Sequence, residues 1–285
     1  IATILSRTAG ASWGNRLLHL PGFSRPLSEI LSPYASVIGL SVILHLVTAI
    51  VLVILVKEEP RGADGAGRIS GTIGLTVEAV KSSFRNPVLR PLLILAVISG
   101  IEVMGVETYW QPFFSGMPGI TAQTASLFSF LMAGSFFAGV LGTGIAPAAV
   151  RIARGNHAAI LVTAWLLKIA AAGGLMFQTR PLPGALFFLL SYFGATLGSP
   201  SASVLANTEI PDRFRASMLS VQSLFFFAGC LLGSAISGPF CEAFGIARYW
   251  GFLAIIQICA FPFYILLGRG IARSSLLKQE VSNDK

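Results

Sequence analysis

Charge is what this sequence has least of. Asp, Glu, Lys and Arg make up 11% of its 285 residues, where an ordinary soluble domain carries about 25%. A chain so poor in charge cannot cover a water-facing surface, which excludes a soluble globular protein. Cysteine is scarce as well. Cys230, Cys241 and Cys259 form no metal-binding or redox spacing and are read as core thiols. The three histidines, His19, His45 and His157, are scattered, and HExxH, GxSxG and paired-cysteine patterns are absent. These absences count against a membrane-embedded enzyme, and no catalytic residue, cofactor or metal is expected. Strict apolar/polar alternation over ~10-residue segments is also lacking, which excludes a transmembrane β-barrel.

What the chain has instead is long continuous apolar runs. Hydrophobic residues reach 54%, with a mean hydropathy of +0.76. In lipid, such runs satisfy their backbone only as helices. The sequence therefore predicts an all-α, polytopic membrane helical bundle with about seven transmembrane helices. The first span covers 35–56 and has His45 as its only strongly polar side chain. Six more follow at about 91–113, 123–148, 158–178, 184–206, 216–240 and 248–268. Most hold roughly 20 residues or more, enough for ~30 Å of hydrocarbon.

The remaining segments read as extramembrane. Residues 1–34 are broken by Gly10, Gly14, Pro21, Pro26 and Pro33 and are taken as an N-terminal segment, the remnant of a lost helix. The chain begins with Ile1 and carries no secretory leader pattern, so an upstream portion is expected. Residues 57–90 form a linker. Its start is rich in Gly and charge, and its second part places Ile73, Val77, Val80 and Phe84 at helical spacing, as an amphipathic surface helix would. Residues 269–285 are a polar tail.

The net charge of +8 raises the question of nucleic acid, but the basic residues lie in loops between apolar runs, where topology explains them. No nucleic-acid partner is expected; the lipid bilayer is. The 57–90 loop, the 149–157 loop (Arg151, Arg154), the 207–215 loop (Arg213, Arg215) and the tail hold most of the cations. The positive-inside rule places these segments, and the C-terminus, in the cytoplasm.

Three features then point one way. Phe84-Arg85-Asn86-Pro87-Val88-Leu89-Arg90 closes a long basic loop, Ala146 to His157 forms a short basic turn, and Ile210 to Gly245 joins a charged turn to a span bearing Gly229 and Gly233 one turn apart. That spacing lets helices pack closely in lipid, and Pro239 and Gly245 are read as its exit. Over about residues 35–270 the chain resembles the C-terminal half of a major facilitator superfamily transporter, its sixth to twelfth helices. The three features look like the lead-in to the seventh helix, a degenerate basic loop between the eighth and ninth, and the tenth-to-eleventh passage. The family has twelve spans in two halves, against seven here, and Ala146 and Pro147 stand where its loop usually carries an acid.

The resemblance implies a secondary active transporter, or the C-terminal fragment of one. It would move a small solute by alternating access, coupled to a proton gradient, across a plasma (inner) membrane. A missing or separate N-terminal half would be its partner. The alternatives are a non-transporting scaffold or partner protein derived from a transporter and a membrane-embedded enzyme.

Glu102 is the foremost site candidate. It lies about eleven residues past Pro91, roughly 16 Å along the helix, where a carboxylate is costly unless it faces a cavity, pairs with a cation or is protonated. It is read as a proton-coupling group; the other reading is a protonated carboxyl bonded to a neighbouring helix. Glu107 is the second coupling candidate. It falls about 140° further round the helix, so the two are not expected to share a face, and Tyr109 and Trp110 beside it suit the outer mouth. Lys168 is also near mid-membrane. Its span is peripheral in the resembled family, so a structural pair or a snorkelling lysine is expected over a substrate role. On the spans that would line the pathway, the polar candidates are Tyr192, Thr196, Ser220, Gln222 and Ser223. Arg151, Arg154, Asp212, Arg213 and Arg215 are read as anchors to the cytoplasmic face.

Overall fold

The computed structural model describes residues 35–55, 69–120, 126–210 and 215–283. Nine helices make up the described residues, joined by short turns, and no strand occurs among them. They fall into two compact units, divided between Arg68 and Ile69.

The first unit contains α1 (Ala35–Leu55). Its 21 residues rise about 31 Å at 1.5 Å per residue. The stretch Val42–Val51 is apolar, apart from His45 and Thr48, and the Thr48 hydroxyl donates to the Leu44 carbonyl at 2.8 Å. Residues 1–34 and Val56, which sequence reading assigns to the N-terminal segment and the end of the first span, lie outside the described residues.

The second unit is a bundle: α2 (Ile69–Arg85), α3 (Leu89–Ser115), α4 (Ser126–Ile152), α5 (His157–Met176), α6 (Pro181–Glu209), α7 (Arg215–Phe244), α8 (Ile246–Cys259) and α9 (Phe261–Asn283). Six helices among the described residues are long and apolar enough to cross a membrane: α3 to α7, and the nearly continuous α8–α9 run to Ser274. The protein is an integral, multi-pass membrane protein. α3, α6, α7 and the α8–α9 run exceed the expected spans at both ends, whereas α4 is described from Ser126 and α5 stops at Met176, two residues short of its expected end.

Small residues set the packing. α3 and α7 touch backbone to backbone: a Cβ on Gly229 would collide with the Val97 carbonyl, and one on Gly100 with the Phe226 carbonyl and, at 2.8 Å, the Cys230 nitrogen. One turn on, a Cβ on Gly233 would lie 2.9 Å from the Ile101 oxygen. The small-residue spacing on α7 is thus a close crossing with α3. Pro239, read from sequence as an exit, sits inside α7, which runs on to Phe244 and stops at Gly245 with φ 83°. Proline is tolerated within membrane helices because neighbours compensate the freed carbonyl.

The α2 helix forms as its periodicity predicts, but Ala79 and Ser83, both fully buried, make its packing face. The Ser83 hydroxyl donates to the Ala79 carbonyl at 2.6 Å and meets Met218 Sδ of α7 at 2.9 Å. Val77 and Phe84, on the predicted apolar stripe, are exposed. Phe84 still reaches α7, its ring 5.7 Å from that of Phe225, while the smaller Ala79 and Ser83 take the closest approach.

Two apolar clusters occupy opposite ends of the bundle. At the end bearing the basic turns, Val88, Leu92, Leu205, Ile210, Met218 and Leu267 pack together. At the other, Trp110, Phe113, Phe114, Phe188, Tyr249 and Trp250 form an aromatic plug, with Trp110 stacked on Phe188 at 5.2 Å between centroids.

Candidate functional site

Midway along α3, between these clusters, the Glu102 carboxylate meets two partners at one oxygen. Lys168 Nζ of α5 and Gln257 Nε2 of α8 each lie 2.5 Å from Oε2. All three residues are buried. Lys168 also donates to the Ser99 hydroxyl, one turn before Glu102, at 3.5 Å. Gln257 is engaged twice, because its backbone carbonyl accepts the Trp165 indole N–H at 2.7 Å. Trp165 and Lys168 share a face of α5 at i, i+3 spacing. The contacts therefore close a ring: Lys168, Glu102, Gln257, Trp165 and back to Lys168 along α5.

The local sequence explains the ring. Pro262 has no N–H for the Ile258 carbonyl four residues back, and just before it the Ala260 N–H is shared between the carbonyls of Ile256 and Gln257 at 3.2 and 3.0 Å. α8 ends there and α9 starts. Near such a break a backbone carbonyl has room for a lateral donor. The α5–α6 crossing relies on glycines: a Cβ on Gly194 would lie 3.2 Å from Lys168 Cγ. That close approach brings the lysine stem into the bundle.

Two cavities meet at this pair. One, of about 510 Å³, is walled by α3, α5, α6, α7 and Tyr264 of α9. Lys168 is the one charged residue among those lining it; the neutral polar groups are Ser99, Ser199, Ser203, Gln222 and Ser223, and Trp165, Phe226 and Phe227 supply aromatic surface. The other, of about 40 Å³, lies between α3 and α6 and is lined by Glu102, Glu107, Ser191 and Tyr192. Val103 and Ala195 belong to both walls.

Several expectations are corrected. Glu102 and Glu107 both line the small cavity at the α3–α6 seam despite their angular separation. Glu107 is exposed and accepts a 2.8 Å hydrogen bond from the Tyr192 hydroxyl. Lys168 lines the large cavity; its helix is not peripheral to it. Thr196 turns away: its hydroxyl donates to the Tyr192 and Phe193 carbonyls at 2.9 and 3.2 Å, and it stands against Gly142 of α4. Self-bonding of this kind is how threonine satisfies its hydroxyl within an apolar helix. Ser220 is exposed on α7 and is not among the residues lining either cavity, whereas Gln222 and Ser223 do line the large one.

Arg151 lies exposed in the last turn of α4, and Arg154 sits in the following turn at φ 54° with Gly155 at 81°. The Gly155 N–H bonds to the Val150 carbonyl at 2.9 Å, and Asn156 caps α5 by accepting the Ala159 N–H at 3.1 Å. Asp212 and Arg213 lie outside the described residues, and Arg215 opens α7. Glu209 acts instead at this end: it accepts from Asn86 Nδ2 at 3.2 Å and from the Ser274 hydroxyl at 2.7 Å.

Sequence reasoning missed Ser99, Trp165 and Gln257. Gln257 carried a usable signal, an amide inside an apolar run, the same signal that singled out Gln222. Among the described residues no group of three or more His, Cys, Asp or Glu could hold a metal. Compared with protein-family models, curated proteins and solved structures, the chain has no significant match.

Proposed function

We propose that this chain is a secondary active transporter, or the C-terminal half of one, that moves a small solute in exchange for or together with protons by alternating access. One observation carries the proposal: an ion pair, Lys168–Glu102, buried in the middle of a membrane bundle at the junction of two cavities. An intramembrane carboxylate and ammonium are costly to keep, and a pair that can open and close against a cavity is a proton-coupling element. Glu102 is the proton carrier in this reading and Lys168 its counter-charge. Gln222 and Ser223 belong to the solute pathway; Glu107 and Tyr192 guard the opposite mouth.

The resemblance to the major facilitator superfamily supplies the larger frame. In that frame the spans are the sixth to twelfth helices, the basic turns and the C-terminus are cytoplasmic, the membrane is the plasma membrane, and an N-terminal half completes the cavity. The positive-inside distribution supports that orientation. The test is proton flux in proteoliposomes carrying the chain, read by a pH-sensitive dye inside while a panel of organic solutes is added outside. A solute-dependent signal is expected. It should vanish in Glu102→Gln and in Glu102→Gln/Lys168→Gln, the second of which leaves no stranded charge. No signal with any solute would overturn the transporter reading, and a signal unchanged in both variants would remove Glu102 from it.

A further inference from the structure

The large cavity has a sign. Lys168 is the one charged residue on its wall, and the other polar groups there are hydroxyls and an amide. An ammonium has three N–H donors. Glu102 and Ser99 take two, which leaves one for a group inside the cavity that the side chain lines. Trp165, Phe226, Phe227 and Tyr264 add aromatic surface to a wall otherwise built largely of aliphatic residues such as Leu92, Leu95 and Val103. A volume of about 510 Å³ falls in the range of sites for small organic molecules, roughly 300–1,000 Å³.

We infer that this cavity binds an aromatic monocarboxylate, with the carboxylate of the ligand on Lys168 and its ring among Trp165, Phe226 and Phe227. The inference rests on the transport reading only for its consequence, that such an anion is the solute moved. Charge balance then links ligand to proton. With Glu102 ionised, one ammonium faces one carboxylate; a second carboxylate adds an unmatched negative charge in a low-dielectric site. One proton from solution, bound at Glu102, restores the balance. Glu102 then becomes a neutral carboxylic acid that keeps Gln257 as partner, and the ligand takes its place opposite the ammonium. The charged and titratable groups facing Glu102 are Lys168 from α5, Tyr264 from α9, which lies within its electrostatic reach, and across the small cavity Glu107 of its own helix with Tyr192 of α6. α7 brings Gln222 and α8 brings Gln257, both neutral. No second cation on these elements competes for the anion among the described residues.

The experiment is a competition for binding of radiolabelled 1-naphthoate to the purified full chain in detergent. The competitors are unlabelled 1-naphthoate, its neutral isostere 1-naphthamide and the cation 1-naphthylmethylammonium. On the unmodified chain the acid should bind at least tenfold tighter than either of the others. Glu102→Gln should raise naphthoate affinity, because the internal competitor for Lys168 is gone. Glu102→Gln/Lys168→Gln should abolish the preference for the anion. Equal affinities for the three probes on the unmodified chain would overturn the inference, as would an anion preference that survives in the double variant. Flux separates this inference from the transport reading: naphthoate bound without being moved defeats only transport, and a neutral or cationic solute moved without naphthoate binding defeats only the anion site.

Discussion

Glu102 Oε2 and Lys168 Nζ stand 2.5 Å apart, on helices whose positions are 66 residues distant in the chain. Both side chains are almost wholly buried, Lys168 at 8% and Glu102 at 7% exposure. The same carboxylate oxygen also receives Gln257, so the charge is shared by three helices. The first prediction follows from that dependence. Glu102→Gln or Lys168→Met alone strands a buried charge and should cost about 3–5 kcal/mol. The double variant, neutral at both positions, should be more stable than either single one. Thermal unfolding in detergent, read as a double-mutant cycle, checks it; additive losses would mean that the pair is not coupled.

The α3–α7 crossing admits no side chain at its glycines. Gly229→Val should separate the two helices and cause loss of monodisperse protein, since the Cβ meets the Val97 carbonyl, which is backbone and cannot move alone. Gly238→Ala, on the same helix with nothing within 4 Å of the new Cβ, should be neutral or stabilising by up to ~1 kcal/mol. Size-exclusion profiles of the two variants decide the matter. Equal behaviour would show that the crossing is looser than drawn.

Glu209 joins the end of α6 to the α2–α3 turn and to α9. Glu209→Ala should remove both links and cost about 1 kcal/mol, the scale of hydrogen bonds to a partly exposed charged group. Asn86 Oδ1 also accepts the Val88 and Leu89 N–H groups at 2.8 and 3.0 Å, capping α3. Asn86→Ala should therefore lose more, since an N-cap adds about 1 kcal/mol by itself. The order of the two melting temperatures is the measurement.

Arg154 occupies the left-handed region at φ 54° without being glycine. Arg154→Asn, which tolerates that conformation better, should raise stability by up to ~1 kcal/mol. An unchanged or lower melting temperature would mean that the arginine side chain contributes more than its backbone strain removes.

The architecture was legible because lipid leaves the backbone few options. Apolar runs of roughly 20 residues and the breaks at Gly155 and Gly245 locate most of the bundle from sequence. Glu102 was legible for the same reason, as a lone carboxylate in such a run. Its partner was not, because pairing α3 with α5 depends on how each helix is rotated about its axis, and short hydroxyl or glycine positions fix that rotation only through the neighbour. Thr196 illustrates the failure: a polar residue on a cavity helix, it satisfies its hydroxyl on its own backbone and faces α4. Gln257 shows the opposite case, readable as a buried amide but placed in a span whose break at Ala260 no periodicity announces.

That break gives Gln257 a mechanical role. Its side chain holds Glu102 while its carbonyl holds Trp165, so α3, α5 and α8 stay braced together through a strut that bypasses the ammonium. Releasing Lys168 from Glu102 then resembles opening a catch in a frame whose cross-member remains bolted. Under the proposed coupling only the lysine stem would have to swing, while the Gln257 strut holds α3, α5 and α8 together.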